Sequence, residues 1–174
     1  MPKPIIGVMG GAKATRKVAE MAEELGRLIA ERGWVLLNGG RNVGVMSASA
    51  RGAHQAGGTV IGILPDRKKT NASPDLDYVI ATGMRDARNV INVLSSDVVI
   101  ACKGSLGTLT EVAFALMHHK HVILLDWELT DTLFNAYFRS KQLVIVTRPQ
   151  EAIEHVARVL EQEAKKRKQE QSRK

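Results

Sequence analysis

The chain has 174 residues, 44% of them hydrophobic, and a formal net charge of +7. That length can bury the core of one domain, and a single cysteine, Cys102, excludes an internal disulfide framework. No apolar run reaches the roughly 18 residues that a membrane span needs, and the N-terminus enters a strand pattern without a signal-peptide layout, so a soluble, cytoplasmic protein with no membrane role is expected.

The charge is uneven. Residues 161–174 hold six Lys/Arg against three Glu and so carry +3 of the total. One nucleotide- or phosphate-binding domain is expected over residues 1–160, followed by a basic helix end or flexible tail over 161–174. None of the seven aromatic residues interleaves with the basic run, which argues against nucleic acid as a partner.

Ile5–Met9 reads as a buried strand. Ala12–Arg32 reads as a helix with Val18, Met21, Ala22, Leu25, Leu28 and Ile29 on one face, ended by Gly33. Val35–Leu37 is a second strand. Val43–Ala56 is a helix rich in small residues, suited to close packing. Thr59–Leu64 is a third strand, and Pro65–Asp75 a polar loop with Arg67, Lys68 and Lys69. Tyr78–Ala81, Asp97–Ala101, Val122–Leu125 and Leu143–Val146 read as further strands. Met84–Ser95, Gly107–His118, Thr130–Phe138 and Pro149–Lys168 read as the helices between and after them, with Pro149 at a permitted first-turn position. The alternation of continuous apolar strands with helices predicts an α/β, Rossmann-like, doubly wound and mostly parallel sheet of seven strands with helices on both faces.

Such a sheet binds ligands outside the carboxyl ends of its strands, and the chemistry-bearing clusters of this chain all follow strands. Gly10 and Gly11 follow the first. Gly39, Gly40, Arg41 and Gly44 follow the second. Met84, Arg85 and Arg88 follow the fourth. Lys103, Gly104, Ser105, Gly107 and Thr108 follow the fifth, with Glu111 one turn into the next helix. A glycine turn opening a helix lets backbone N–H groups approach a phosphate, and the helix N-terminus adds positive potential. Singly, glycine pairs make ordinary tight turns, and a first-turn glutamate suits the helix dipole. The coincidence of four clusters on one edge is what points to a site. The run His118-His119-Lys120-His121 sits at a helix end and lacks the ligand spacing of a zinc site, so no metal is expected.

With these residues in view, the chain resembles the LOG-like (SLOG) superfamily, Rossmann-type proteins once widely labelled lysine decarboxylases. The group includes cytokinin-activating phosphoribohydrolases and molybdenum-cofactor carrier proteins. The resemblance covers about residues 4–160. The hydrolases carry an Arg-Lys pair, then a strand, then Pro-Gly-Gly-x-Gly-Thr-x-x-Glu. Arg88 and Glu111 fall at the arginine and glutamate assigned to catalysis there, and Gly104, Gly107 and Thr108 at the phosphate loop. Asn89 stands where the hydrolases have lysine, Lys103 and Ser105 replace the loop's proline and second glycine, and Arg41 replaces a glycine. The runs Gly39-Gly40-Arg41 and Thr82–Ile91 look more like the carrier-type branch.

Two functions are implied by this resemblance. One is binding of a phosphorylated, nucleotide-like small molecule, with the molybdenum cofactor or a related pterin as cargo. The other is hydrolysis of a nucleoside 5′-monophosphate to free base and ribose 5-phosphate, which requires no cofactor. Whether the chain is an enzyme stays open between them. Nothing marks a pyridoxal-phosphate site, so lysine decarboxylation is not expected. A homodimer or homotetramer is implied by the same resemblance.

Overall fold

The computed structural model describes residues 2–128 and 142–172. Seven strands pair in parallel throughout: β1 (Ile5–Met9), β2 (Val35–Asn38), β3 (Thr59–Leu64), β4 (Tyr78–Ala81), β5 (Val98–Cys102), β6 (His121–Leu125) and β7 (Leu143–Val146). Their spatial order is β4-β3-β2-β1-β5-β6-β7. The chain winds outward from β1 through β4, returns to β5 beside β1, and winds outward the other way. This is the doubly wound architecture expected. The reversal lies between β1 and β5, whose register runs from Ile6 opposite Val98 to Met9 opposite Ala101. It leaves a crevice between the loops that follow them.

The pleat sends alternate residues to opposite faces. Ile6, Val8, Ile100 and Ile123 meet α1 (Arg16–Glu31), α2 (Gly44–Gln55) and the last helix, α5 (Pro149–Gln171), through Leu25, Ile29, Val45, Ala53, Ile153 and Val156. Met9, Leu37, Val99, Val122 and Leu124 face α3 (Arg88–Ser95) and α4 (Leu106–Met117) through Val93, Val112 and Ala115. The predicted helix over Thr130–Phe138 lies outside the described residues. Among the described residues no helix is long and apolar enough to cross a membrane.

Three boundaries differ from expectation by three residues or more, the first two for a local reason. Helix α1 begins at Arg16 rather than Ala12, because extended Thr15 caps it by accepting from the Val18 N–H at 3.3 Å. Gly11–Ala14 are thereby released as loop. The helix expected over Met84–Ser95 begins with one turn of 3-10 helix over Arg85–Ala87, and α3 proper starts at Arg88. Left-handed Gly83 (φ 66°) and Arg85 (φ 50°) break the path, and the Arg85 N–H is drawn to Pro65 O at 3.0 Å. Helix α5 continues to Gln171, so most of the basic tail is helical.

The small residues of α2 have a specific use. A β-carbon on Gly52 would collide with Glu23 O of α1, and one on Gly26 with Ser49 O of α2. The two helices therefore cross backbone against backbone, and neither can yield without repacking that face. Gly26→Ala should destabilise the protein by on the order of 3 kcal/mol in urea unfolding. Gly33→Ala should cost about 1 kcal/mol: Gly33 is left-handed (φ 69°) with open space around it. Equal costs at the two positions would show that the helix crossing is not tight.

Candidate functional site

The loops after β1 and β5 are in contact at the crevice. A β-carbon on Gly11 would stand 3.3 Å from Gly104 Cα, and one on Gly104 would stand 2.9 Å from the Gly11 nitrogen and collide with Thr108 Oγ1. On the other side of the β1 loop, left-handed Gly44 (φ 53°) lies against the carbonyls of Gly11 and Ala12, and the Val45 N–H donates to Gly11 O at 3.1 Å. Gly10 packs on the Val45 side chain. The β1 loop, the start of α2 and the β5 loop thus form one packed unit.

Asn38, fully buried at the end of β2, organises the next loop. It donates to Met46 O (2.9 Å) and Ser49 Oγ (3.0 Å) and accepts from the Gly40 N–H (2.8 Å). Left-handed Gly40 (φ 76°) then packs on Gly62.

Helix α4 opens directly from the β5 loop. Its N-cap, Ser105, makes no side-chain capping bond, and its first turn carries no acidic residue. The unclosed N–H groups and positive end of the helix therefore stand at the loop. Beside it lies a cleft of about 700 Å³ bordered by Gly11–Thr15, Lys17, Lys103–Ser105, Asp126 and Glu128, with a Lys17–Asp126 ion pair of 2.7 Å at its edge. Lys103 is exposed and, among the described residues, forms no ion pair.

A second, buried polar group lies between α3 and α4. Arg88, Asn89 and Asn92 come from α3, and Thr108 and Glu111 from α4. Asn92 Nδ2 donates to Glu111 Oε1 at 2.9 Å. Asn89 Nδ2 donates to Thr110 Oγ1 (3.1 Å) and Gly107 O (3.4 Å), tying the start of α3 to the first turn of α4. The Arg88 guanidinium lies over Gly39: a β-carbon there would stand 2.7 Å from Nη1 and 2.6 Å from Met46 Sδ. Two polar atoms of this group, Arg88 Nε and Asn92 Oδ1, are sealed from solvent without a partner.

Burial governs the electrostatics. It pushes the Glu111 carboxyl up to about 7, against the opposing pull of the Asn92 hydrogen bond and the Arg88 charge. Burial likewise lowers the Arg88 pKa, with Glu111 opposing. A buried cation without a hydrogen-bonded partner is costly, and such groups cluster where a ligand completes them.

The remaining candidates fall unevenly. The Arg41 guanidinium is held by both oxygens of Asp66, at 2.9 and 2.7 Å, and so meets the edge as half of an ion pair rather than as a free cation. Met84 and Arg85 are exposed on the turn before α3. Gly107 has room around it, with no atom nearer to a built β-carbon than 4.0 Å. Asn92, Asn38 and Asp66 were not singled out from sequence. Asn92 had a usable signal, since a residue four beyond Arg88 shares its helix face. Asn38 read as turn punctuation, and Asp66 is 25 residues from Arg41, beyond any local pattern.

The sequence model of the SLOG cluster4 family matches residues 3–153. The molybdenum cofactor binding protein from the phototrophic bacterium Rippkaea orientalis superposes with a TM-score of 0.88 at 51% identity, over 92% of this chain and 99% of that one. The molybdenum cofactor carrier protein of Chlamydomonas reinhardtii does so with a TM-score of 0.84 at 40% identity, over 91% and 99%. The cytokinin riboside 5′-monophosphate phosphoribohydrolase of Mycobacterium tuberculosis is 33% identical over 63% of this chain, which spans 63% of the hydrolase's length. The LOG-like resemblance drawn from the motifs is confirmed, and identity is higher to the two molybdenum-cofactor proteins than to the hydrolase.

The raised carboxyl makes a pH test. Folded protein holds the Glu111 proton up to about pH 7, whereas the unfolded chain releases it near the ordinary glutamate value of 4.5. This group's contribution to stability therefore falls as pH rises through that window, by about 3 kcal/mol in total. Glu111→Gln removes the titration. Wild type should lose about that much stability relative to the variant between pH 4 and pH 8 in urea unfolding; a constant difference would refute the buried-acid assignment.

Proposed function

The chain belongs to the SLOG cluster4 family, and we propose from that premise that it binds a phosphorylated, nucleotide-like small molecule at the C-terminal edge of its sheet, the molybdenum cofactor or a related pterin being the cargo. The observation that carries this reading is the open N-terminus of α4 above a β5 loop pressed against Gly11, where β-carbons would fill the space. A phosphate would rest on the N–H groups of Gly104–Thr108, with Lys103 adding a charge-assisted contact. The polar ring of the ligand would lie toward Arg88 and Glu111. Likeness to two proteins named for molybdenum cofactor over nearly their whole length supports a carrier. Asn89 supports it too: the amide standing in place of the hydrolases' lysine is engaged by α4. Self-association as a homodimer or homotetramer belongs to the same proposal, supported by exposed Leu94, Leu106 and Met117 on α3 and α4.

Hydrolysis is favoured by one observation, the Glu111 carboxyl near neutrality, which suits general acid–base work. In that reading Glu111 takes a proton from water as it attacks the anomeric carbon of a nucleoside 5′-monophosphate, and Arg88 orients the departing base.

Protein mixed with molybdenum cofactor freshly released from a molybdoenzyme, then gel-filtered, should retain pterin detectable by fluorescence after oxidation. Gly107→Asp has room for its side chain and adds an acid that favours the α4 N-terminus, yet it should reduce retention by about tenfold or more through charge repulsion. Equal retention would remove the phosphate from this loop. Incubation with a panel of nucleoside 5′-monophosphates, including isopentenyladenosine monophosphate, tests the second reading. Base release that drops by about 10²–10⁴ in Glu111→Gln would establish the hydrolase, and no release from protein that retains cofactor would dismiss it.

A further inference from the structure

Glu111 has two carboxyl oxygens in unlike situations. Oε1 accepts from Asn92 Nδ2 at 2.9 Å, while Oε2 carries no hydrogen bond among the described residues. The sealed, partnerless atoms of the group are Arg88 Nε and Asn92 Oδ1; Glu111 Oε2 and the terminal nitrogens of Arg88 are not among them. Nε and Oδ1 are therefore closed off, whereas Oε2, Nη1 and Nη2 are not fully sealed. Asn92 is fully buried, and among the described residues its side chain reaches only Glu111 and, weakly at 3.9 Å, Met9 Sδ. Its amide makes no capping bond and joins no strand, and its Oδ1 is buried and unmet among the described residues, which is costly. A purely structural residue at this place would be apolar, as Val93 beside it is.

We propose that Asn92 is a positioning residue for the ligand site: by holding Oε1 of Glu111 it fixes the carboxyl so that Oε2 is the oxygen presented to the ligand. This deepens, and rests on, the reading that the ligand's polar ring lies toward Arg88 and Glu111. In its ionised form Oε2 is an acceptor, and the Arg88 guanidinium of the same polar group is a donor, so together they fit a neutral group carrying both an N–H and a C=O or ring nitrogen. A second phosphate on this side would meet the carboxylate. Arg88 is the charged group acting on Glu111, and Arg41, Asp66 and Asp86 act in turn on Arg88.

Ligand-free protein labelled with ¹³C at glutamate carboxyls and ¹⁵N at side-chain amides tests the contact directly. In wild type the Asn92 amide resonances should shift with pH at the midpoint of the Glu111 carboxyl. In Asn92→Leu the carboxyl midpoint should rise by about one pH unit, a tenfold change in the protonated fraction ratio. The pH profile of AMP binding should move by the same amount. A loss of stability alone, with midpoint and profile unmoved, would assign Asn92 a merely structural role and overturn the proposal. Where Asn92→Leu fails to fold, the wild-type amide decides: resonances indifferent to the carboxyl midpoint overturn it. Wild type that binds neither AMP nor released cofactor, with amide and carboxyl still titrating together, would refute the proposed ligand and leave the Asn92–Glu111 coupling standing.

Discussion

Gly11 and Gly104 meet where the winding of the sheet reverses; a β-carbon on Gly104 would collide, and one on Gly11 would be tightly placed. The rest of the edge depends on that contact. It holds the β1 loop against the β5 loop, and the β1 loop in turn carries the start of α2 through Val45 and Gly44. Because α4 begins immediately after Gly104 and Ser105, the same contact sets where its N-terminus points. Small residues here act as geometry. Their missing side chains let three backbone segments converge on a volume that a phosphate can share.

On the other side of the β5 loop the constraint is electrostatic. Arg88 and Glu111 lie in a region dry enough to pull each toward its neutral form, and they stabilise each other only partly. The fold sustains this because both residues are anchored by what surrounds them. Gly39 leaves the guanidinium room, Asn92 holds the carboxylate, and Asn89 clamps the two helices. A rigid frame around imperfectly satisfied polar atoms is the usual signature of a place prepared for something that arrives later.

Much of this was legible in the chain itself. The apolar strands and the glycines after them identify a parallel sheet and the edge where its glycine loops gather, and Arg88 and Glu111 stand out by position. What escaped depends on contacts between distant residues or on competition at element ends. Thr15 prevails over the helical periodicity of Ala12–Ala14 by capping three residues ahead. Asp66 engages Arg41 across 25 residues, turning a free-looking cation into half of a pair. Asn92 sits one turn beyond Arg88 among apolar neighbours, and that spacing acquires its meaning only through the contact with Glu111.

Asn89 has a consequence for how this family can diversify. Its amide joins helices α3 and α4 at Gly107 and Thr110, directly beneath the loop where α4 begins. A lysine at that position would bring a second cation next to the buried Arg88 and withdraw the clamp in one step. Charge and helix alignment are therefore linked at a single position. Any exchange at Asn89 therefore has to replace the Thr110 contact as well as suit the charge of Arg88, so this position cannot vary independently of the first turn of α4.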